Sequence, residues 1–320
     1  MAARRGLLVG VEREGTRGVG EATPLSGWTE PFEDCRAALV DPPGREPSAP
    51  AETPPMPATP AARHGLALAR LDAATRRSGE SLAAHLAEDA PARRVPVNAT
   101  VGDASPAVTA EAVRAAADAG VDCVKVKVGA GSVERDAERL EAARAAADVS
   151  LRADANGAWD RETAVAAVEA FRPLDLDYVE QPLAAPDLDG HRALRDRGVR
   201  VALDESVIEH GVETVLDRDA ADALVVKPMA LGGPDRAVEA ARRATAAGVD
   251  PVVTTTVDAA VARTAAVHVA AAIPDVPPCG LATRDLLAAD LLPDPVPVED
   301  GRVTVPAGPG LAGEAFEGLV

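Results

Sequence analysis

From residue 95 onward, short apolar and β-branched runs alternate with Ala-rich stretches whose apolar positions recur at helical spacing. The runs are VPVNATVG (95–102), CVKVKVG (123–129), SLRADANG (150–157), DYVEQPL (177–183), RVALDES (200–206), ALVVKPM (223–229), PVVTTTVD (251–258) and PCGLAT (278–283). Between them lie segments such as AVTAEAVRAAADAG and PDRAVEAARRATAAG, and Gly120, Gly198 and Gly248 stand where a helix should end just before the next run. Eight strands at roughly even spacing predict an α/β fold, a TIM-type (β/α)7β barrel over residues 93–295. An open doubly wound sheet rarely carries eight units and would place a Gly-rich phosphate turn after its first strand. Here that turn reads NATVGDAS, and the GAG at 129–131 is an incomplete fingerprint best read as a plain loop.

Residues 1–92 follow another pattern. GLLVGVEREGTRGVGEA reads as a hairpin, a helix is expected near Glu30 to Leu39, and eight prolines fall between Pro42 and Pro60 in an irregular stretch. Helical patterning resumes at AARHGLALARLDAATRR. These elements predict a smaller α+β capping domain, joined by a C-terminal segment, 296–320, in which Asp300 and Gly301 mark a hairpin turn expected to rejoin the N-terminal unit.

Composition narrows the chemistry. Aromatic residues are only 2% of the 320, so Ala, Val and Leu must fill the interior, which favours helix-covered sheets over two-layer β folds. A formal charge of −18 disfavours nucleic acid and anionic membrane surfaces and leaves small molecules as expected partners. Three scattered cysteines, Cys35, Cys123 and Cys279, offer neither a disulfide framework nor a zinc knuckle. With no apolar run long enough to span a bilayer and no signal-peptide pattern, a cytoplasmic protein is expected. Of 33 basic residues only Lys125, Lys127 and Lys227 are lysines, and an acidic surplus with so little lysine resembles proteins of extreme halophiles. Where arginine meets every surface need, a retained lysine points to a task arginine cannot perform, such as giving up a proton.

Polar residues cluster at the C-terminal ends of the predicted strands, the face on which barrel enzymes build their sites. Lys127, Asp154, Glu180, Asp204 and Lys227 follow one another at 27, 26, 24 and 23 residues, one βα unit each, so all five should converge on one cavity. Asp154, Glu180 and Asp204 would supply hard oxygen ligands with no His or Cys among them, a set suited to Mg²⁺, with Mn²⁺ as an alternative. Any single Asp at a strand end is more often a helix cap, but three in register beside the only lysines are not so easily dismissed. Lys125 and Lys127 lie two apart on one strand and so face the interior together, where a metal and a second cation would make a neutral amine accessible as a general base.

The motifs VKVKVG, LRADANGAW, YVEQPL, ALDES and VVKP, in this order and spacing, resemble the muconate-lactonizing subgroup of the enolase superfamily. The resemblance implies that Asp154, Glu180 and Asp204 bind Mg²⁺, that Lys127 is the base, that Lys125 lowers its pKa, and that Lys227 faces it across a small-molecule carboxylate substrate. GVGEATPLSGW near the N-terminus, Thr254 to Thr256 followed by VDAAV, and GLAT at the eighth strand are most similar to the members that dehydrate a cyclohexadiene carboxylate to an aromatic acid through an enediolate, a step of menaquinone biosynthesis. On that resemblance Asn156, Thr255, Thr256 and Ser26 are expected at the substrate. Racemases of N-succinylamino acids, dipeptide epimerases and muconate-type cycloisomerases of the same superfamily are the alternatives, although Gly280 to Thr283 lack the acidic pair that epimerases use to hold a substrate ammonium. Family members carry a further strand and a lid loop before the equivalent of RRGLLVGVE, close to where this sequence starts.

Overall fold

The computed structural model describes residues 3–40 and 55–320. Most of the proline-rich stretch therefore lies outside the described residues. The chain opens with an antiparallel hairpin, β1 (Leu7–Arg13) and β2 (Thr16–Ala22), in which Leu7 pairs with Ala22 and Arg13 with Thr16. Helices α1 (Phe32–Val40), α2 (Pro60–Ser78) and α3 (Leu82–Leu86) follow. α2 lies against β2 so tightly that a Cβ on Gly18 or Gly20 would meet the helix backbone, at 2.1 Å from the Ala69 carbonyl oxygen and 1.9 Å from that of Gly65.

After β3 (Arg94–Pro96), seven parallel strands run in sequence order across one sheet: β4 (Ala99–Val101), β5 (Cys123–Lys127), β6 (Ser150–Asp154), β7 (Tyr178–Glu180), β8 (Val201–Leu203), β9 (Ala223–Val226) and β10 (Asp250–Val253). The connecting helices are α4 (Pro106–Asp118), α5 (Val133–Ala146), α6 (Arg161–Phe171), α7 (Leu188–Arg195), α8 (Glu205–His210), α9 (Val212–Asp217), α10 (Pro228–Leu231), α11 (Pro234–Ala246) and α12 (Ala260–Ala271). Gly120, Gly198 and Gly248 take the left-handed conformation after their helices, the geometry a glycine admits at no steric cost.

The eighth segment differs from expectation. It forms only isolated bridges, Val97 with Cys279 and Thr254 with Gly280. Even so, it joins both edges of the sheet: the Asn98 N–H donates to the Cys279 carbonyl at 2.9 Å, and the Gly280 N–H to that of Val253 at 2.9 Å. Pro277 and Pro278 have no N–H to give a ladder, so the pairing cannot extend backward into a strand. The result is a curled, barrel-like parallel sheet wrapped in helices. Its core is built largely of Val, Leu and Ala, with Leu140, Leu151 and Leu203 fully enclosed.

The C-terminal hairpin, β11 (Val298–Glu299) and β12 (Arg302–Thr304), turns at Asp300 and Gly301, both at positive φ as a tight primed turn requires. It pairs with β3 rather than with the β1–β2 hairpin, Val303 opposite Val95. All three cysteines are free and buried.

Candidate active site

Register delivers the site. Lys127 on β5 lies beside Asp154 on β6, and Asp154 lies beside Glu180 on β7, as direct partners in the parallel ladder. Lys125, two residues back, points to the same side, and both ammonium groups converge on one oxygen: Asp154 Oδ2 is 3.0 Å from Lys125 Nζ and 2.6 Å from Lys127 Nζ. Lys125 also donates to both Glu180 oxygens at 2.9 Å. Asn156, at φ +46 just past β6, accepts from Lys127 Nζ at 2.7 Å and donates through Nδ2 to Glu205 Oε1 at 3.2 Å.

Lys227 lies just past β9, four places round the sheet from β5 and therefore across the mouth from Lys127. Its Nζ lies 2.5 Å from Asp204 Oδ2 and only 3.1 Å from the centroid of the Trp28 ring. A turn in which the Trp28 and Thr29 N–H groups both donate to the Leu25 carbonyl carries Trp28 there. In the sequence Trp28 stands within GVGEATPLSGW, and the rarity of tryptophan in a chain with six aromatic residues is the one signal that marks it.

Asp154, Glu180 and Asp204 are almost wholly buried. Burial pushes the Asp154 carboxyl up, but Lys125 and Lys127 outweigh it and hold it near 2. Glu180 goes the other way: burial, together with the negative charges of Asp154 and Asp204, raises it to about 7 despite Lys125. Lys125, though buried, is held well above its ordinary value by Glu180 and Asp154. Among the described residues no three His, Cys, Asp or Glu side chains stand together as a preformed metal cage, each carboxylate being paired with a lysine instead.

The remaining expected residues are less central. Thr255, just past β10, shares a hydrogen bond with Thr283 of the adjacent eighth segment, 3.0 Å between hydroxyls. Thr256 turns to the buried Asp258, bonding it through both hydroxyl and N–H. Ser26 is exposed, two residues before Trp28. Glu21 accepts from the Ala259 and Ala262 N–H groups at 2.9 Å and so ties β2 to the start of α12. Arg152 reaches away from the lysines to Asp177 and the Pro278 carbonyl and stacks over Tyr178.

Residues 107–317 match the family described as enolase C-terminal domain-like. The chain belongs to the enolase superfamily. It is 41% identical over 221 residues to the o-succinylbenzoate synthase of Thermobifida fusca (strain YX), a match covering 67% of this chain and 68% of that one. It therefore stands with the o-succinylbenzoate synthases of the superfamily and is an enzyme of the hydro-lyase kind. The N-succinyl-L-Arg/Lys racemase of Bacillus cereus is 31% identical over 180 residues, covering 55% of this chain but 48% of the racemase. Among solved structures, the dipeptide epimerase from Methylococcus capsulatus complexed with Mg ion superposes with a TM-score of 0.82 at 27% identity, over 96% of this chain and 93% of the epimerase.

Proposed function

We propose that this enzyme removes water from a cyclohexadiene carboxylate to form o-succinylbenzoate, in menaquinone biosynthesis in the cytoplasm, with Mg²⁺ as its metal. The observation that carries the reading is the pair of lysines at opposite sides of the mouth, Lys127 and Lys227, with Asp154, Glu180 and Asp204 at the C-terminal ends of the three strands between them. We assign residues 93–295 to a (β/α)7β catalytic barrel and 1–92 with 296–320 to the cap.

The residues fit a divalent cation. Burial, and after it the negative charges of Asp154 and Asp204, push Glu180 up to about 7, and Asp204 Oδ1 is buried without a hydrogen-bond partner among the described residues. An all-oxygen set of this kind suits Mg²⁺, or Mn²⁺ in its place, and when bound the ion supplies positive charge against the negative charge that develops on the substrate carboxylate. Asp154, Glu180 and Asp204 would hold it.

Lys127 then acts as the base. Its amine takes the α-proton, and the same nitrogen returns that proton to the departing hydroxyl on the same face, so that water leaves, the ring becomes aromatic and the lysine is restored. Asn156, bonded to Lys127 Nζ, aims it. Lys227 stays protonated between Asp204 and Trp28 and faces the substrate from the opposite side, where an ammonium stabilises both enolic charge and a ring face. Thr255, Thr256 and Ser26 border the region left for the succinyl tail.

Purified protein with Mg²⁺ is expected to convert the cyclohexadiene precursor to o-succinylbenzoate, and Lys127→Ala to lose about 10³-fold or more, as removal of a general acid and base does. Chelation by EDTA should abolish turnover reversibly. A folded, Mg²⁺-supplied wild type that leaves the precursor untouched sinks the assignment. A second reading, racemisation of an N-succinylamino acid, draws on the same opposed lysines, which is what two-base chemistry needs. Exchange of the α-proton in D₂O with both antipodes of such an amino acid would reveal it.

A further inference from the structure

Gln181 follows Glu180 directly and has no part in the mechanism above, yet it is fully buried and its backbone is held at φ +41, a left-handed conformation uncommon outside glycine. Its side chain spends every hydrogen-bonding group on the neighbouring strand ends. Oε1 accepts from the Asp204 N–H at 3.0 Å and the Ser206 N–H at 3.2 Å. Nε2 donates to the Ser206 hydroxyl at 2.7 Å and the Leu183 carbonyl at 3.0 Å, with the buried His191 Nε2 a more distant partner at 3.4 Å. On the other side, the Gln181 carbonyl accepts from the Gly157 N–H at 2.7 Å, in the loop that leaves Asp154.

One residue thus ties together the three strand ends that carry Asp154, Glu180 and Asp204. The chemistry of the side chain is specific. Two N–H groups on one side and a carbonyl and a hydroxyl on the other call for an acceptor and a donor at fixed separation, which only an amide supplies. Glutamate would lack the donor and add a charge beside three carboxylates; methionine would supply neither.

We propose that Gln181 is the positioning residue of the metal site, setting the separation of Glu180 and Asp204 before any cation arrives. The proposal rests on the metal assignment made above. Groups that orient metal ligands from behind typically hold ten- to hundredfold of the affinity.

The test measures binding directly. Dissociation constants for Mn²⁺, from the resonance of the free ion, and for Mg²⁺, by calorimetry, would be compared with the melting temperature for wild type, Gln181→Met, Ser206→Ala and Thr264→Val. Thr264 is buried in α12, donates to the Ala260 carbonyl, and serves as a control for plain destabilisation. Gln181→Met is expected to bind both ions ten- to hundredfold more weakly. Ser206→Ala, which removes the shortest of these side-chain bonds, should weaken binding several-fold, while Thr264→Val lowers the melting temperature and leaves both constants in place. If Gln181→Met does not fold, Ser206→Ala decides. Wild-type affinity in the folded Gln181 and Ser206 variants, or an equal loss in Thr264→Val, overturns the positioning role alone. A wild type that takes up neither ion at millimolar concentration removes the metal assignment and the proposal with it.

Discussion

Lys227 is held from two sides, by the carboxylate of Asp204 and by the face of Trp28. An indole at 3.1 Å from a nearly buried cation is worth about 1–2 kcal/mol, close to tenfold in an equilibrium or a rate. Trp28→Leu keeps most of the volume and loses the π face, so kcat in the proposed dehydration should fall about tenfold while Trp28→Phe falls less. Equal kcat in wild type and Trp28→Leu would show that the ring does not support the charge. The charged residues of the site were legible because one βα unit separates each from the next. Trp28 and Gln181 were not, because the first reaches the mouth from a separate part of the chain and the second acts through backbone groups that no side-chain pattern announces.

At the level of elements, period and punctuation told most of the story. Runs of β-branched residues became strands, and glycines marked helix ends, because both signals are local. Pairing is not local. The Asp300–Gly301 turn formed where its chemistry demanded, yet its hairpin docked on β3, and the PCGLAT segment closes the sheet without lengthening into a strand because its prolines cannot donate. The alternation RGVGE in β2 carried a further message: Gly18 and Gly20 fall on one face of the strand, and that face meets α2. A Cβ at Gly20 would sit 1.9 Å from the Gly65 carbonyl oxygen and 2.8 Å from the Ala69 N, both backbone atoms that cannot rotate away. Gly20→Ala should therefore cost about 3 kcal/mol and lower the melting temperature by roughly 5–10 °C. An unchanged melting curve by circular dichroism would show that α2 can retreat without loss.

Across the whole molecule, acid sets two opposing trends. Protonation of carboxylates relieves the repulsion of a chain with net charge −18, and buried acids such as Glu21 and Asp258, whose pKa values burial raises, favour the folded state at lower pH. His268 works against them. It sits fully buried in α12, where Nδ1 accepts from the Ala83 N–H at 3.1 Å and Nε2 faces the Leu311 carbonyl, so a neutral ring pins α3 and the C-terminal segment to the barrel. Burial depresses its pKa to about 4 from an ordinary 6.5. The unfolded chain thus binds a proton that the folded one refuses between those values, and the stabilisation present above pH 6.5 is lost as pH falls toward 4. The difference amounts to about 3 kcal/mol. Because the carboxylates titrate alike in a variant, comparison isolates the histidine. His268→Leu should melt lower than wild type at pH 7.5, and the gap should narrow by most of that amount by pH 4.5. Parallel melting curves at every pH would mean that the buried ring accepts a proton in the folded state as readily as in the unfolded one.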